Sequence, residues 1–431
     1  MKRDGDPKER LLPLYQRKST FEIFFCGIML FACTYALLLL VYSKGGQQST
    51  LFFSNPGDSF MDFFNVLKYI STRDPYHYIA FGGLADKAYP PLAYLILYPA
   101  SRLYNYIDNS SYSARGSQLA LMSLLIFLGI CIIALALLIY QNKKGSSFVK
   151  TCTIAAMFSS GVFLFALERG NIILLAALFL GVFLFLYNSE SAVMREIAYL
   201  SLACAVGLKV YPVLFGIIIL KNKRWFAGLR TILYGAAAGF LPFLFFKGGF
   251  SNLSQLLMNI DLSTQSFKFL SPLYRFGWAA QYLWANTNPT QIDKWILIGN
   301  VLMVFSVALC LGLKKPWKTV MFLTCALIAS PVNSAYYCGI YLLVPVVLFL
   351  NEKEHELLDW LYVVLFAAIL NPYQFAMDSL PQTVHIANTA LLILYLLLLL
   401  EAVFDTSLRL HAHFTRSKMQ KIPENTPSLT A

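Results

Sequence analysis

The sequence predicts an all-α polytopic integral membrane protein. Of its 431 residues 58% are apolar, 15% are aromatic and only 13% are charged, and apolar runs of span length recur from one end of the chain to the other. Such a chain has lipid as its main solvent, and helices satisfy backbone polar groups there without water.

The runs fall at 21–43, 118–140, 149–167, 171–187, 197–220, 226–246, 295–313, 319–331, 336–350, 357–370 and 384–404, with a shorter one at 89–104. They amount to about twelve transmembrane helices (range roughly 10 to 13), several of them short. The first run is longer than a signal-peptide core and no small-residue cleavage site follows it, so it is expected to stay as an anchor. The expected organisation is a cytoplasmic N-terminal segment at 1–20, a transmembrane domain at 21–404 and a cytoplasmic tail at 405–431. Two large polar loops, 44–88 and 248–292, interrupt the transmembrane domain, and the Pro-, Thr- and Ser-rich end of the tail carries no chemistry.

A net charge of +12 raises nucleic acid as a partner, but the cations cluster at the ends of apolar runs, as membrane topology requires, and no basic module stands apart. Nucleic acid is therefore excluded, and membrane lipid is the expected surrounding. Lys2, Arg3, Lys8, Arg10, Arg17 and Lys18 precede the first run, which makes the N-terminus cytoplasmic and the 44–88 loop external. Counting onward puts Lys221, Lys223, Arg224 and Arg230 inside, with Lys314, Lys315 and Lys318, and ends the chain inside. Lys143, Lys144 and Lys150 disagree, falling outside on that count. Either their loop is an exception or the 89–104 run does not cross.

All eight cysteines lie in apolar runs, where a thiol behaves as a small hydrophobe, and their spacing shows no disulfide framework or metal site. Of the five histidines, His77, His355, His385, His411 and His413, none pairs with another on one helix face with carboxylate support. No metal and no cofactor is expected.

The 44–88 loop places carboxylates at the mouth of a membrane helix, where charge is expensive and marks pairing, ion handling or chemistry. Asn55-Pro56-Gly57 is a turn signal, and Asp58 after it is placed to cap a helix. Phe60, Phe63, Phe64, Leu67 and Ile70 then recur on one helical face, with Asp58, Asp62, Asn65 and Tyr69 on the other. Such a helix lies along the outer membrane surface, its polar stripe facing water or a cavity roofed by other loops.

The order of these elements resembles a known family. Acidic residues after the first span, Asp74-Pro75-Tyr76 and Tyr89-Pro90-Pro91-Leu92 are followed by Glu168-Arg169-Gly170-Asn171, where the family often has G-Q/N-x-N, and by Gly207-Leu208-Lys209-Val210-Tyr211-Pro212, similar to its A-x-x-x-K-x-x-P element. Over roughly 20–350 the chain resembles the GT-C fold glycosyltransferases that use polyprenyl-phosphate sugars, and among them the mannosyltransferase-like family 87. The resemblance implies transfer of a hexose, mannose in the family's pattern, from a polyprenyl-phosphate donor to a hydroxyl of a glycan or glycolipid acceptor on the external face. A polyprenyl phosphate leaves without a proton, so one carboxylate suffices as general base, and single displacement inverts the anomeric carbon. A glycoside hydrolase normally needs two flanking carboxylates.

Asp62 is the preferred base, because it aligns with the single aspartate of the family's stretch while Asp58 has a structural explanation as a cap; Asp58 is the alternative. Arg275, then Lys268, in an aromatic and basic stretch of the second loop, are the expected partners of the donor phosphate, the ordinary alternative being headgroup anchoring. Asn65, Tyr76, Tyr89, Tyr336 and Tyr337 are expected around the sugar or acceptor. Tyr336 and Tyr337 stand where family members often have a histidine. Arg169, Asn171, Lys209 and Tyr211 are motif positions without an assigned role; the same count sets the Glu168–Asn171 connection on the cytoplasmic side, opposite the loop. A lipid-linked sugar flippase or transporter is a second reading, although internal repeats are not visible. A non-catalytic polyprenyl-lipid-binding assembly protein is a third. A bacterial plasma membrane is the expected location, with the endoplasmic reticulum next.

Overall fold

The structure, a computed structural model, describes residues 12–42, 56–79, 83–267, 290–329, 336–372, 376–377 and 380–419. Among these, everything regular is helical except one antiparallel pair of two-residue strands, Ala376–Met377 with Leu380–Pro381. Helix α1 (Lys18–Tyr42) is followed by two short helices, α2 (Met61–Ile70) and α3 (Pro91–Ser101), and by α4 (Gln118–Asn142). Next, α5 (Ser147–Phe158) meets α6 (Gly161–Arg169) at a 60° bend. Then come α7 (Ile173–Leu186), α8 (Ala192–Leu208), the short α9 (Gly216–Lys221), α10 (Trp225–Phe240) and α11 (Asn252–Phe267). The chain finishes with α12 (Thr290–Leu309), α13 (Pro316–Ala329), α14 (Leu343–Phe349), α15 (Asp359–Leu370) and α16 (Gln382–Met419).

By length and apolarity Lys18–Leu38, Gln118–Asn142, Trp225–Phe245 and Ile386–Ala412 suffice to cross a membrane as single helices, and the bent α5–α6 pair adds a fifth. The other expected spans are shorter apolar helices. Their surfaces show the solvent they meet. On α4, Ala120, Leu124, Cys131, Leu135 and Ile139 are buried while Leu125, Ile126, Ile130, Ile133 and Leu137 are exposed, so this helix is apolar on both its inner and its outer face. A helix apolar all round belongs in lipid, and the chain is a multi-pass membrane protein.

Basic side chains gather at one end of the bundle. Lys143 Nζ donates to Glu22 of α1 and, at 3.2 Å, to the Leu350 carbonyl, while Lys18 Nζ donates to the Lys144 carbonyl at 3.0 Å. Lys221 Nζ reaches the Leu313 carbonyl at 3.2 Å, Lys314 pairs with Asp405 at 2.9 Å, and Lys315 pairs with Glu356 at 2.7 Å. The N-terminal segment is sewn into the same end, with the Gln16 carbonyl accepting from His355 N at 3.1 Å and the Tyr15 carbonyl from Trp360 Nε1 at 3.0 Å. Below these bonds Phe21 stacks on His355, ring centroids 4.0 Å apart.

These contacts decide the ambiguity in the count. Lys143 and Lys144 stand beside Lys18, so the helix leading to them starts at the opposite end, where residues 105–112 lie against α2. The 89–104 run therefore enters and leaves at that opposite end: α3 has eleven residues, with Pro99 inside it, too short for a crossing. The 197–220 run is divided in turn. It breaks at Lys209, whose backbone is extended, and a short 3-10 helix, Tyr211–Phe215, carries Pro212 where an α-helix cannot continue.

Candidate active site

Helix α2 is fixed at its start by a backbone bond rather than a cap. Phe60 takes the left-handed conformation (φ 66°) and its N–H donates to the Glu168 carbonyl at 2.6 Å, which pins the start of α2 to the last turn of α6. Asp58 is thus not the helix cap expected from the sequence: the cap position is Phe60, no side chain caps it, and Asp58 ends a 3-10 turn, Pro56–Asp58. Its carboxylate is drawn elsewhere by a stronger, charged partner.

That partner is Arg169, the last residue of α6. Its Nη1 donates to an Asp58 carboxylate oxygen and, at 3.1 Å, to the Asp58 carbonyl; its Nε and Nη2 donate to Asp62 Oδ1 at 3.1 and 2.5 Å. Only a planar guanidinium can span both aspartates in this way. Asn171 completes the hold on Asp62, its Nδ2 donating to Oδ2 at 2.6 Å, while its own Oδ1 accepts from Ile173 N at 2.9 Å and caps the next turn. Between them Gly170 adopts φ 61°, which sends Arg169 and Asn171 to the same carboxylate.

The expectation that Glu168–Asn171 and the Asp58/Asp62 loop lie on opposite sides of the membrane is therefore overturned by direct hydrogen bonds. The physical cause is the 89–104 run, which does not cross, so that the bent α5–α6 pair returns to the loop's own end.

A second layer surrounds the pair. Tyr112 OH donates to Asp58 Oδ1 at 3.1 Å and Ser111 Oγ to Asn65 Oδ1 at 2.6 Å. Lys68 Nζ holds the carbonyls of Tyr106 and Asn109 at 2.9 and 2.7 Å, closing the 105–112 segment over α2. So α2 is roofed by another loop, the second of the two environments expected for its polar stripe. Tyr89 lies on the inner side, its hydroxyl 3.4 Å from Asn171 Nδ2 and its ring 4.3 Å from Lys209 Nζ. Tyr337 also faces that ammonium, its ring centroid 6.0 Å away.

The remaining expected residues divide. Tyr336 packs on Phe165 and donates to the Asn371 carbonyl at 3.5 Å, away from the aspartates. Tyr76 is fully buried, and its hydroxyl donates to the Tyr89 carbonyl at 3.2 Å, so it props Tyr89. Tyr211 is one residue into the 3-10 helix after Lys209, with Cys338 among its neighbours. Arg275 and Lys268 lie outside the described residues. Asp74 pairs with His77 at 2.8 Å on the surface, and Asn259 of α11 donates to the Tyr76 carbonyl at 3.0 Å, which ties the second polar loop to this end of the molecule.

Asp86 is a third carboxylate that the sequence reading did not single out. Burial raises its pKa, partly offset by Lys87 beside it and reinforced by Asp62 and Asp58. Burial likewise lowers the Lys87 amine, which lies over the Tyr69 ring at 4.3 Å. The Tyr112 hydroxyl is pushed up by burial and by the charge of Asp58. Ser111 and Tyr112 carried no signal in the sequence, since their role comes from a fold-back of the chain. Among the described residues no three His, Cys, Asp or Glu side chains converge as metal ligands would.

The profile of glycosyltransferase family 87 matches residues 88–334. The chain belongs to glycosyltransferase family 87. It is a membrane glycosyltransferase, and no curated protein and no solved structure matches it. The stretch matched in this family 87 enzyme contains Tyr89, Arg169, Asn171, Lys209 and Tyr211, and begins after Asp58 and Asp62. The carboxylates join those residues only through the fold.

Proposed function

We propose that this chain transfers a hexose from a polyprenyl-phosphate donor to a hydroxyl of a glycan or glycolipid, with Asp62 as general base, on the non-cytoplasmic face of the membrane. The observation that carries this reading is the arrangement around Asp62. Arg169 occupies Oδ1 with two donors and Asn171 one position on Oδ2, which leaves a lone-pair direction of Oδ2 open among the described residues. A carboxylate held from behind with one open position suits proton acceptance from an alcohol. As the acceptor O–H gives its proton to Asp62, the oxygen attacks the anomeric carbon, and the bond from that carbon to the phosphate oxygen breaks with its electron pair. The sugar inverts, so a β-mannosyl phosphate gives an α-linkage; mannose itself is inferred from family pattern alone.

Orientation follows from charge. The basic side chains at the end opposite the aspartates support a cytoplasmic assignment of that end by the positive-inside rule, with the site external in this reading. About twelve passes, several of them short or broken, connect the two ends in this reading. A bacterial plasma membrane suits a cytoplasmic N-terminus with glycan assembly outside. Arg275 and Lys268 remain proposed cations near the site mouth.

The test is transfer of labelled sugar from a polyprenyl-phosphate donor in proteoliposomes. Asp62→Asn is expected to lower the rate by roughly 10²–10⁴-fold with expression intact. Full activity in Asp62→Asn, with loss only in Asp58→Asn, reverses the assignment.

A further inference from the structure

Every buried lysine among the described residues has an oxygen partner: Lys68 two carbonyls, Lys87 the Gly83 carbonyl, Lys143 Glu22, and Lys318 Glu401 at 2.6 Å. Lys209 differs. It lies inside an apolar run, at the break after α8, and among the described residues its Nζ has neither a hydrogen bond nor an ion pair, only the faces of Tyr89 and Tyr337. Aromatic faces attract a cation but leave its three N–H groups unsatisfied. Lys209 is half-buried, so this ammonium, set in an apolar run without an oxygen partner among the described residues, is open to an anion. Asp62 is not its partner: Arg169 and Asn171 hold that carboxylate, and no ion pair joins it to Lys209 among the described residues.

We propose that Lys209 binds the phosphate of the lipid donor, with Tyr89 and Tyr337 as the walls of the site. The anion is one carried by a lipid, for a geometric reason. Val210 and Val213, on either side of the Tyr211-Pro212 step, are 53% and 54% exposed on the apolar exterior. A prenyl chain can lie along that exterior while its headgroup reaches the ammonium just inside. Tyr89 then sets the leaving phosphate and the base on its two sides, since it touches both Lys209 and Asn171. During transfer the phosphate gains charge as the bond to the sugar breaks, and an unengaged ammonium stabilises that charge without first giving up another partner.

This inference rests on the lipid-phosphate donor reading above, and the experiment separates the two. Full-length protein in nanodiscs is titrated with farnesyl phosphate, and with farnesol as the uncharged control. Lys209→Met is expected to weaken farnesyl phosphate binding by at least about tenfold, with farnesol binding unchanged and Lys209→Arg close to wild type. Lys209→Gln replaces the methionine variant if the latter does not fold. Farnesyl phosphate bound equally well by wild type and the neutral variants overturns the role of Lys209 and leaves the donor reading standing. A folded wild type that binds no farnesyl phosphate overturns both.

Discussion

At the scale of single residues the site depends on one guanidinium shared by two carboxylates. Lysine at position 169 keeps the charge but cannot donate to Asp58 and to Asp62 in one plane. Arg169→Lys is therefore expected to fold and yet to lose more than about tenfold in transfer rate, because misplacement of a catalytic group by an ångström costs on that order or more. Unchanged turnover in the lysine variant would remove Arg169 from the machinery. Asp86 gives a prediction in pH. Its pKa is raised in the folded chain, so its ionisation opposes folding: the penalty is complete above the folded pKa and vanishes below the unfolded value of about 3.9. Asp86→Asn should raise the thermal midpoint at neutral pH, and the gain should shrink as the pH is lowered towards that value. A gain independent of pH would assign the effect to packing instead. The sequence reading picked out Arg169 and Asn171 by pattern but not what they touch, because a motif carries no information on which loop lies opposite it. Asp86 was invisible for another reason, as its burial comes from tertiary contact.

At the scale of elements the decisive feature is a helix broken in two. α5 and α6 look like one apolar run, 149–167, yet Ser160 leaves the helix, accepts from Phe163 N and starts a new one, turning the chain by 60°. Hydrophobic run length cannot report this, since each half is equally apolar. The turn matters because α6 ends in Gly170 at φ 61°, the residue that sends Arg169 and Asn171 to one carboxylate. A Cβ at position 170 would meet Phe63 Cβ at 3.0 Å and Leu124 Cδ1 at 3.2 Å, besides forcing a left-handed backbone on an alanine. Gly170→Ala is thus expected to destabilise by about 1–3 kcal/mol, read as a lower thermal midpoint in detergent, and to reduce transfer in parallel. Stability lost without loss of transfer would show that the site tolerates movement at the end of α6. The Asp58 cap was a reasonable expectation from a Pro-Gly-Asp turn; the arginine outbids a backbone N–H because charge-assisted bonds are about twice as strong as neutral ones.

At the scale of the whole molecule, the all-helical membrane class was legible from composition, since lipid leaves a chain little choice but helices, whereas the number of passes was not. The path of the chain was not, because two of the apolar runs are not single crossings: 89–104 starts and ends at one side, and 197–220 turns at Lys209. Single cysteines introduced at Asn109 and Lys144, on a cysteine-free background, test this with a membrane-impermeant thiol reagent on intact cells. Position 109 is expected to react and position 144 to be protected; the opposite pattern would mean that 89–104 crosses. The seam at the basic end has a consequence in time. The ribosome makes α1 before the helices that follow it, but the partners of its basic end, Phe349, His355 and Trp360 around Phe21 and Trp360 on the Tyr15 carbonyl, emerge only after most of the described bundle has been synthesised. A helix made early is thus among the last of the described helices to be locked in place, and nascent chains that stop short of Trp360 should leave it open to attack by proteases.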